Sequence, residues 1–181
     1  KQAISNLGRP RPPGLATVLV GDDAASQVYV ANKRKQAQQV GMKSFHYELS
    51  ANTSENELLT IIHDLNNNDL IDGILVQLPL PKHMSEARVL ETVLAHKDVD
   101  GFHPLNLGHL MRGEPTIVAC TPLGIMHLID SVGYKLLGKH VVVVGKSTIV
   151  GKPMAHLLLQ REATVTICHK NTKNLAEMTM Q

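Results

Sequence analysis

Lys33 stands four residues after Tyr29, and Ser26 stands one helical turn before Tyr29. On a helix these three positions share a face. A lysine sharing an apolar face with Tyr29, Val30 and Ala37 would be partly desolvated, an environment that suits proton transfer. The plain alternative is a lysine lying along the surface with its head in water. Gln77 closes the apolar run Ile74-Leu75-Val76 and precedes Leu78-Pro79-Leu80-Pro81. In open α/β sheets ligands gather at the carboxyl ends of strands. A glutamine there can accept from an ammonium or donate to a substrate carbonyl, or it can merely cap backbone groups. Asp100 lies in Asp98-Val99-Asp100-Gly101-Phe102-His103-Pro104. On a rigid loop its carboxylate can accept two parallel hydrogen bonds from the amidine-like edge of a heterocycle. Asp100-Gly101 also reads as a simple turn.

A second chemistry is written in Val141 to Pro153. Four valines end in Gly145, and a helical pattern follows Gly151. That is the shape of a strand feeding a phosphate-binding turn. The spacing departs from G-x-G-x-x-G: Gly145 fits the first position, Ser147 stands at the second, Val150 at the third, and Gly151 comes one step late. Pro153 suits an early helical turn. The following strand pattern, Ala163 to Ile167, ends in Cys168-His169-Lys170. No carboxylate is there to hold a ribose 2′-hydroxyl, whereas Lys146 and Lys170 are basic, which favours NADP over NAD. A strand, turn and helix without a ligand is the alternative.

The elements that must position these residues alternate. Leu15 to Gly21 reads as a buried strand, Ala24 to Val40 as a helix stopped by Gly41, and Lys43 to Leu49 as a strand. Ser54-Glu55-Asn56-Glu57 is a capping box opening a helix with Leu58, Ile61, Ile62 and Leu65 on one face. Asp72 to Gln77 reads as a strand, Ser85 to Ala95 as a helix, and Lys97 to about Gly108 as a loop. A helix from Thr121-Pro122 to about Val132 precedes the buried-type strand at Val141. The pattern predicts an α/β fold with largely parallel strands. The domain boundary is expected near Cys120–Pro122, giving domains 1–120 and 121–181.

Composition narrows the function classes. Of 181 residues, 43% are hydrophobic, and 18 basic against 16 acidic residues give a net charge of +2. That balance advertises neither nucleic acid nor a membrane surface. No apolar run reaches the ~18 residues of a membrane helix. Cys120 and Cys168 form no C-x-x-C, the ten histidines show no metal-ligand spacing, and a reducing compartment fits. The chain begins at Lys1 without a methionine and stops at Gln181 within a helical pattern, which reads as a piece of a longer protein.

Ser26-Gln27-Val28-Tyr29-Val30-Ala31-Asn32-Lys33-Arg34-Lys35, Asp72-Gly73-Ile74-Leu75-Val76-Gln77-Leu78-Pro79-Leu80-Pro81 and Lys97-Asp98-Val99-Asp100-Gly101-Phe102-His103-Pro104-Leu105-Asn106 follow one another in order. With Gly145 to Pro153 they resemble the bifunctional methylenetetrahydrofolate dehydrogenase/methenyltetrahydrofolate cyclohydrolase (FolD) family. The resemblance covers essentially the whole chain. It implies an α/β catalytic domain that binds folate, followed by a truncated Rossmann-type NADP-binding domain. It implies two reactions: oxidation of 5,10-methylenetetrahydrofolate with NADP, then hydrolysis of the methenyl product to 10-formyltetrahydrofolate.

By the same resemblance Lys33 is the acid/base of the hydrolysis, Tyr29 stacks on the p-aminobenzoyl ring and Gln77 tunes Lys33. Asp100 grips the pterin, and Leu78 and Pro79 line the substrate. Gly145, Ser147, Ile149, Val150 and Gly151 would hold the cofactor phosphates, with Lys146 the first candidate for its 2′-phosphate; His169 and Lys170, at the end of the next strand, are also expected to bind the cofactor. Lys146 stands where many members have arginine, and a point charge lacks arginine's fork. A homodimer in the cytoplasm, serving one-carbon metabolism and purine biosynthesis, is also implied. So is the absence here of the remaining Rossmann strands and a Pro-Gly-Gly-Val-Gly segment, which would leave this piece nearly inactive as a dehydrogenase. Two rivals differ in kind. A shikimate dehydrogenase-like enzyme would not need the Gln77 turn or the Asp100 loop. A non-enzymatic nucleotide-binding module would have no reason to keep Tyr29, Lys33 and Gln77 together.

Overall fold

A computed structural model describes residues 2–180; Lys1 and Gln181, the two ends noted in the sequence, lie outside them. The chain divides into two compact units, one ending at Val99 and the other beginning at Asp100.

The first unit is built on a parallel sheet of β1 (Gly14–Val20), β2 (Lys43–Leu49) and β3 (Gly73–Val76) in the order β2-β1-β3. A short helix α1 (Gln2–Ser5) precedes it. Alternation along β1 sends Ala16, Val18 and Val20 to one face, where they join Leu58, Leu59, Ile62 and Leu65 of α3 (Glu55–Asn66) and Val89 of α4 (Glu86–Thr92) in one core. Leu19, from the opposite face, lines one recess together with Val30 of α2 (Ala24–Val40). Helix α2 is therefore assigned to that face, as right-handed crossovers require. Its start is capped by the Asp23 carboxylate, and its end is the left-handed Gly41, φ 90°. The capping box of α3 is complete, with Ser54 and Glu57 bonded reciprocally. Ile61 is only half-buried against the core that Leu58, Ile62 and Leu65 enter.

The second unit carries α5 (Pro104–Met111), α6 (Cys120–Ser131), β4 (His140–Val144), α7 (Gly151–Gln160), β5 (Thr164–Cys168) and α8 (Leu175–Thr179). β4 and β5 pair in parallel. Leu110, Met126, Leu136, Met154, Leu157 and Leu158 form its core.

Four readings change. The Lys97–Gly108 loop is instead partly helical, because Pro104 opens α5 at a position where a missing N–H costs nothing and the His103 ring accepts from Leu105 N–H. The helix expected over Ser85–Ala95 ends at Thr92, where Asn66 takes over the backbone of Thr92 and Leu94. The β4 strand is not buried on both faces: Val141 and Val143 meet the core, while Val144 is 59% exposed. The units part at Val99–Asp100 rather than near Cys120, because Leu110 packs in the second core and its carbonyl accepts from Gln160. Among the described residues no helix is long and apolar enough to cross a membrane.

Candidate functional site

In the first unit the chain leaves β1 toward α2 on one face. It leaves β3 toward Leu80, Met84 and α4 on the other. Neighbouring strands whose connections diverge leave a crevice at their carboxyl ends, which is where open α/β sheets bind ligands. Gln77 follows β3 at that edge, and its N–H donates to Val18 O of β1 at 2.9 Å. Lys33, half-buried on α2, donates from Nζ to Gln77 Oε1 at 3.2 Å. Gln77 Nε2 donates to Leu78 O at 2.7 Å. That second bond settles the amide: its NH2 is committed to the turn, so its oxygen faces the ammonium. The turn itself carries a cis Leu78–Pro79 peptide bond, with Leu78 half-buried and Pro79 exposed.

The pairing of Lys33 with Gln77 that the resemblance implies is present as a direct contact. Ser26, Val30 and Ala37 are the buried positions of α2. Tyr29 is 61% exposed and stands beside that stripe rather than within it. Its ring is presented as a surface, the form a stacking platform takes. Asp100 belongs to the second unit, where it is half-buried; Gly101 after it is left-handed, φ 69°, and a Cβ there would overlap the backbone of Val118 and Ala119. The aspartate therefore sits on a fixed turn.

A recess of about 790 Å³ lies on the other side of α2, between the ends of β1 and β2, lined by Val30, Arg34, His46 and Glu48 among others. It includes none of Tyr29, Lys33 and Gln77, so its size does not outweigh the chemistry at the β1–β3 edge.

In the second unit Gly145 N–H donates to Cys168 O at 2.8 Å, extending the ladder beyond β4. This places the Gly145–Gly151 loop alongside the His169–Lys170 turn. Gly145 has φ 140°, and Gly151 is buried so close to it that a Cβ would overlap the Gly145 carbonyl. Both glycines are demanded by the backbone, although their spacing misses the usual fingerprint. Ser147 Oγ accepts from Val150 N–H and Gly151 N–H, each at 3.2 Å, and Ser147 O accepts from Lys152 N–H at 3.0 Å. The hydroxyl that caps α7 keeps its own proton for an incoming anion. Ile149 and Val150 are half-buried in the loop, and Lys146 and Lys170 are exposed. His169 Nδ1 accepts from Asn171 N–H at 3.2 Å. This cradle, with two flanking cations, fits a nucleotide phosphate.

Two residues escaped the sequence reading. Asp72 accepts from Arg11 at 2.6 Å, Gly14 N–H at 2.7 Å and Arg9 at 2.6 Å. Arg11 also donates to Asp69 O. The Arg11 guanidinium first, then the Gly14 N–H and Arg9, hold the Asp72 carboxyl well below the usual carboxylate range, against partial burial that pushes it up. Lys97 is buried at 9% exposure, and its ammonium donates to Leu65 O, Asn66 O and Asn68 O at 3.2, 2.7 and 3.1 Å. It caps the carbonyl end of α3. No periodicity signals this; the only hint was a lysine in a motif with apolar and acidic neighbours.

Comparison with known proteins gives concordant results. A family model described as "Tetrahydrofolate dehydrogenase/cyclohydrolase, catalytic domain" matches residues 1–100, and one described as its NAD(P)-binding domain matches residues 119–181. The bifunctional protein FolD of Magnetococcus marinus is 56% identical over 171 residues, covering 94% of this chain and 60% of that protein. The FolD of Polaromonas sp. is 53% identical over 181 residues, covering all of this chain and 64% of that protein. The crystal structure of FolD from Campylobacter jejuni matches with a TM-score of 0.92 at 47% identity, covering 97% of this chain and 62% of that one. That of Trypanosoma brucei FolD, complexed with NADP and an inhibitor, matches with 0.92 at 37% identity, covering 98% and 61%. The chain spans about 60% of the length of the first of these relatives.

Proposed function

The chain belongs to the tetrahydrofolate dehydrogenase/cyclohydrolase family, and from that premise we propose that the whole protein oxidises 5,10-methylenetetrahydrofolate with NADP and hydrolyses the product to 10-formyltetrahydrofolate. The observation that carries the reading is the Lys33–Gln77 contact at the β1–β3 edge.

The hydrolysis asks for a proton acceptor and donor beside one carbon. Water adds to the methenyl carbon, and one of its protons must leave. The bond from that carbon to N5 then breaks as the remaining hydroxyl proton leaves to form the formyl carbonyl, and N5 takes a proton. Lys33 is assigned the transfers from water and to N5. Gln77 Oε1 fixes the direction of the Nζ group by taking one N–H, leaving the rest of the amine to face substrate, to accept from water through its lone pair and, once protonated, to donate to N5. The substrate is already a cation at the reacting carbon, so positioning and proton transfer are what the protein must add. Tyr29 offers its exposed ring to the p-aminobenzoyl group, with Leu78 and Pro79 beside it. Asp100 accepts from the paired N–H groups of the pterin edge.

The dehydrogenase step needs a hydride acceptor, which bound NADP supplies. Gly145, Ser147, Ile149, Val150 and Gly151 hold its phosphates, with Lys146, His169 and Lys170 nearest the 2′-phosphate. That assignment rests on the cradle and its flanking cations, and on the NADP named with the Trypanosoma brucei relative. Residues 1–120 are assigned the folate and residues 121–181 the nucleotide. A homodimeric protein of the cytoplasm, feeding one-carbon units to purine synthesis, completes the proposal.

The test is turnover by the whole protein, followed separately for each step. Methylenetetrahydrofolate with NADP should yield methenyl product, and added methenyltetrahydrofolate should be hydrolysed. Absence of both would remove the reading. Lys146→Ala should lower the preference for NADP over NAD; an unaltered preference would refute the 2′-phosphate assignment.

A further inference from the structure

Lys97 and the two residues after it are fastened to the first unit from three directions. The Lys97 ammonium fills a cup of three carbonyls at the end of α3, matching its three N–H donors. Two of those carbonyls, Leu65 O and Asn66 O, belong to the negative end of the helix, so the cation is favoured there. Lys97 O accepts from Ile74 N–H of β3 at 2.7 Å, and Asp98 pairs with Ile74 as a parallel bridge. Val99 lies against Gly73, where a Cβ would overlap the Val99 side chain. Residues 97–99 are thus laid along β3 as a short extension of its sheet. The next residue is Asp100, and Gly101 is fixed by its own packing on Val118 and Ala119.

We infer that Lys97 is a positioning residue for the substrate: by clamping residues 97–99 to α3 and β3, it sets where the Asp100 carboxylate stands. This rests on the reading that Asp100 takes the pterin edge. Misplacing a binding group by about 1 Å costs up to ~100-fold in rate, so the clamp matters even though Lys97 touches no substrate.

In the whole protein, Lys97→Met keeps the stem and removes the ammonium. The KM for methylenetetrahydrofolate should rise about tenfold, with the KM for NADP unchanged. Asn66→Ala is the control for lost stability. It removes a neighbouring tether, Asn66 Nδ2 to Thr92 O and Leu94 N–H to Asn66 Oδ1, upstream of the clamp. Its folate KM should stay near that of the wild type. An unchanged folate KM in Lys97→Met, or an equal rise in Asn66→Ala, overturns the proposal. Should Lys97→Met yield no folded protein, Gly73→Ala makes the same test by pushing Val99 off β3. It should raise the folate KM, and Val99→Ala added to it should restore it; an unchanged KM overturns the proposal. Asp100→Asn separates the two claims. If it leaves the folate KM unchanged, the role of Asp100 falls and this inference with it. If it raises that KM while Lys97→Met does not, only the clamp falls.

Discussion

Lys33 and Asp72 show how one charged side chain can be legible in a sequence and another hidden. The family resemblance anticipated the Lys33–Gln77 contact, whereas the four-residue spacing from Tyr29 and the strand-end position of Gln77 left a surface lysine and a backbone-capping glutamine open. Asp72 binds two arginines from a loop some sixty residues away, a pairing that no local pattern encodes. Its consequence is pH-dependent. A carboxyl held low in the folded state adds stability above its unfolded pKa of about 3.9, and that stability is lost as pH falls toward the depressed folded value. Asp72→Asn should therefore destabilise the protein by about 2 kcal/mol at neutral pH, with the gap to wild type closing below about pH 4. Denaturant titrations at pH 7 and pH 3 measure it; an equal gap at both would contradict the role of the ionised carboxylate.

Among the elements, a cap written in the sequence marks a helix end: Gly41 stops α2 and the capping box opens α3, while the Asp23 cap and the end of α3 escaped the sequence reading. Ser54→Ala should cost about 1 kcal/mol, read from the unfolding midpoint; no shift would mean that the box adds nothing. Helix α5 was missed because Gly108 and two histidines masked it, and its stability comes from Leu110 in the second core. The α7 loop shows the opposite case, in which an imperfect motif proves sterically strict. Gly151→Ala places a methyl against the Gly145 carbonyl. NADP affinity should fall about tenfold, while binding of folate in the absence of nucleotide stays unchanged. Titration of each ligand decides it, and unimpaired NADP binding would remove the close approach from the account of the cradle.

At the scale of the whole molecule the strand and helix alternation gave the α/β class, but the place where the units part depended on packing that pattern cannot show. Each unit has its own core, with Leu58 fully buried in one and Leu158 in the other. Leu58→Ala and Leu158→Ala should each cost about 2–5 kcal/mol. Hydrogen exchange should quicken over β1 to β3 in the first variant and over β4 to β5 in the second. Equal quickening across both sheets in either variant would show a single cooperative unit instead. Lys33 and Gln77 lie in the first unit, and Asp100 and the nucleotide cradle in the second. The most direct measurement is therefore made on Lys33→Met in the whole protein, with both activities and folate binding followed separately. Cyclohydrolase turnover should fall by about 100-fold or more while folate still binds. Cyclohydrolase turnover equal to that of the wild type would take Lys33 out of the chemistry and leave the Lys33–Gln77 contact without the role given to it.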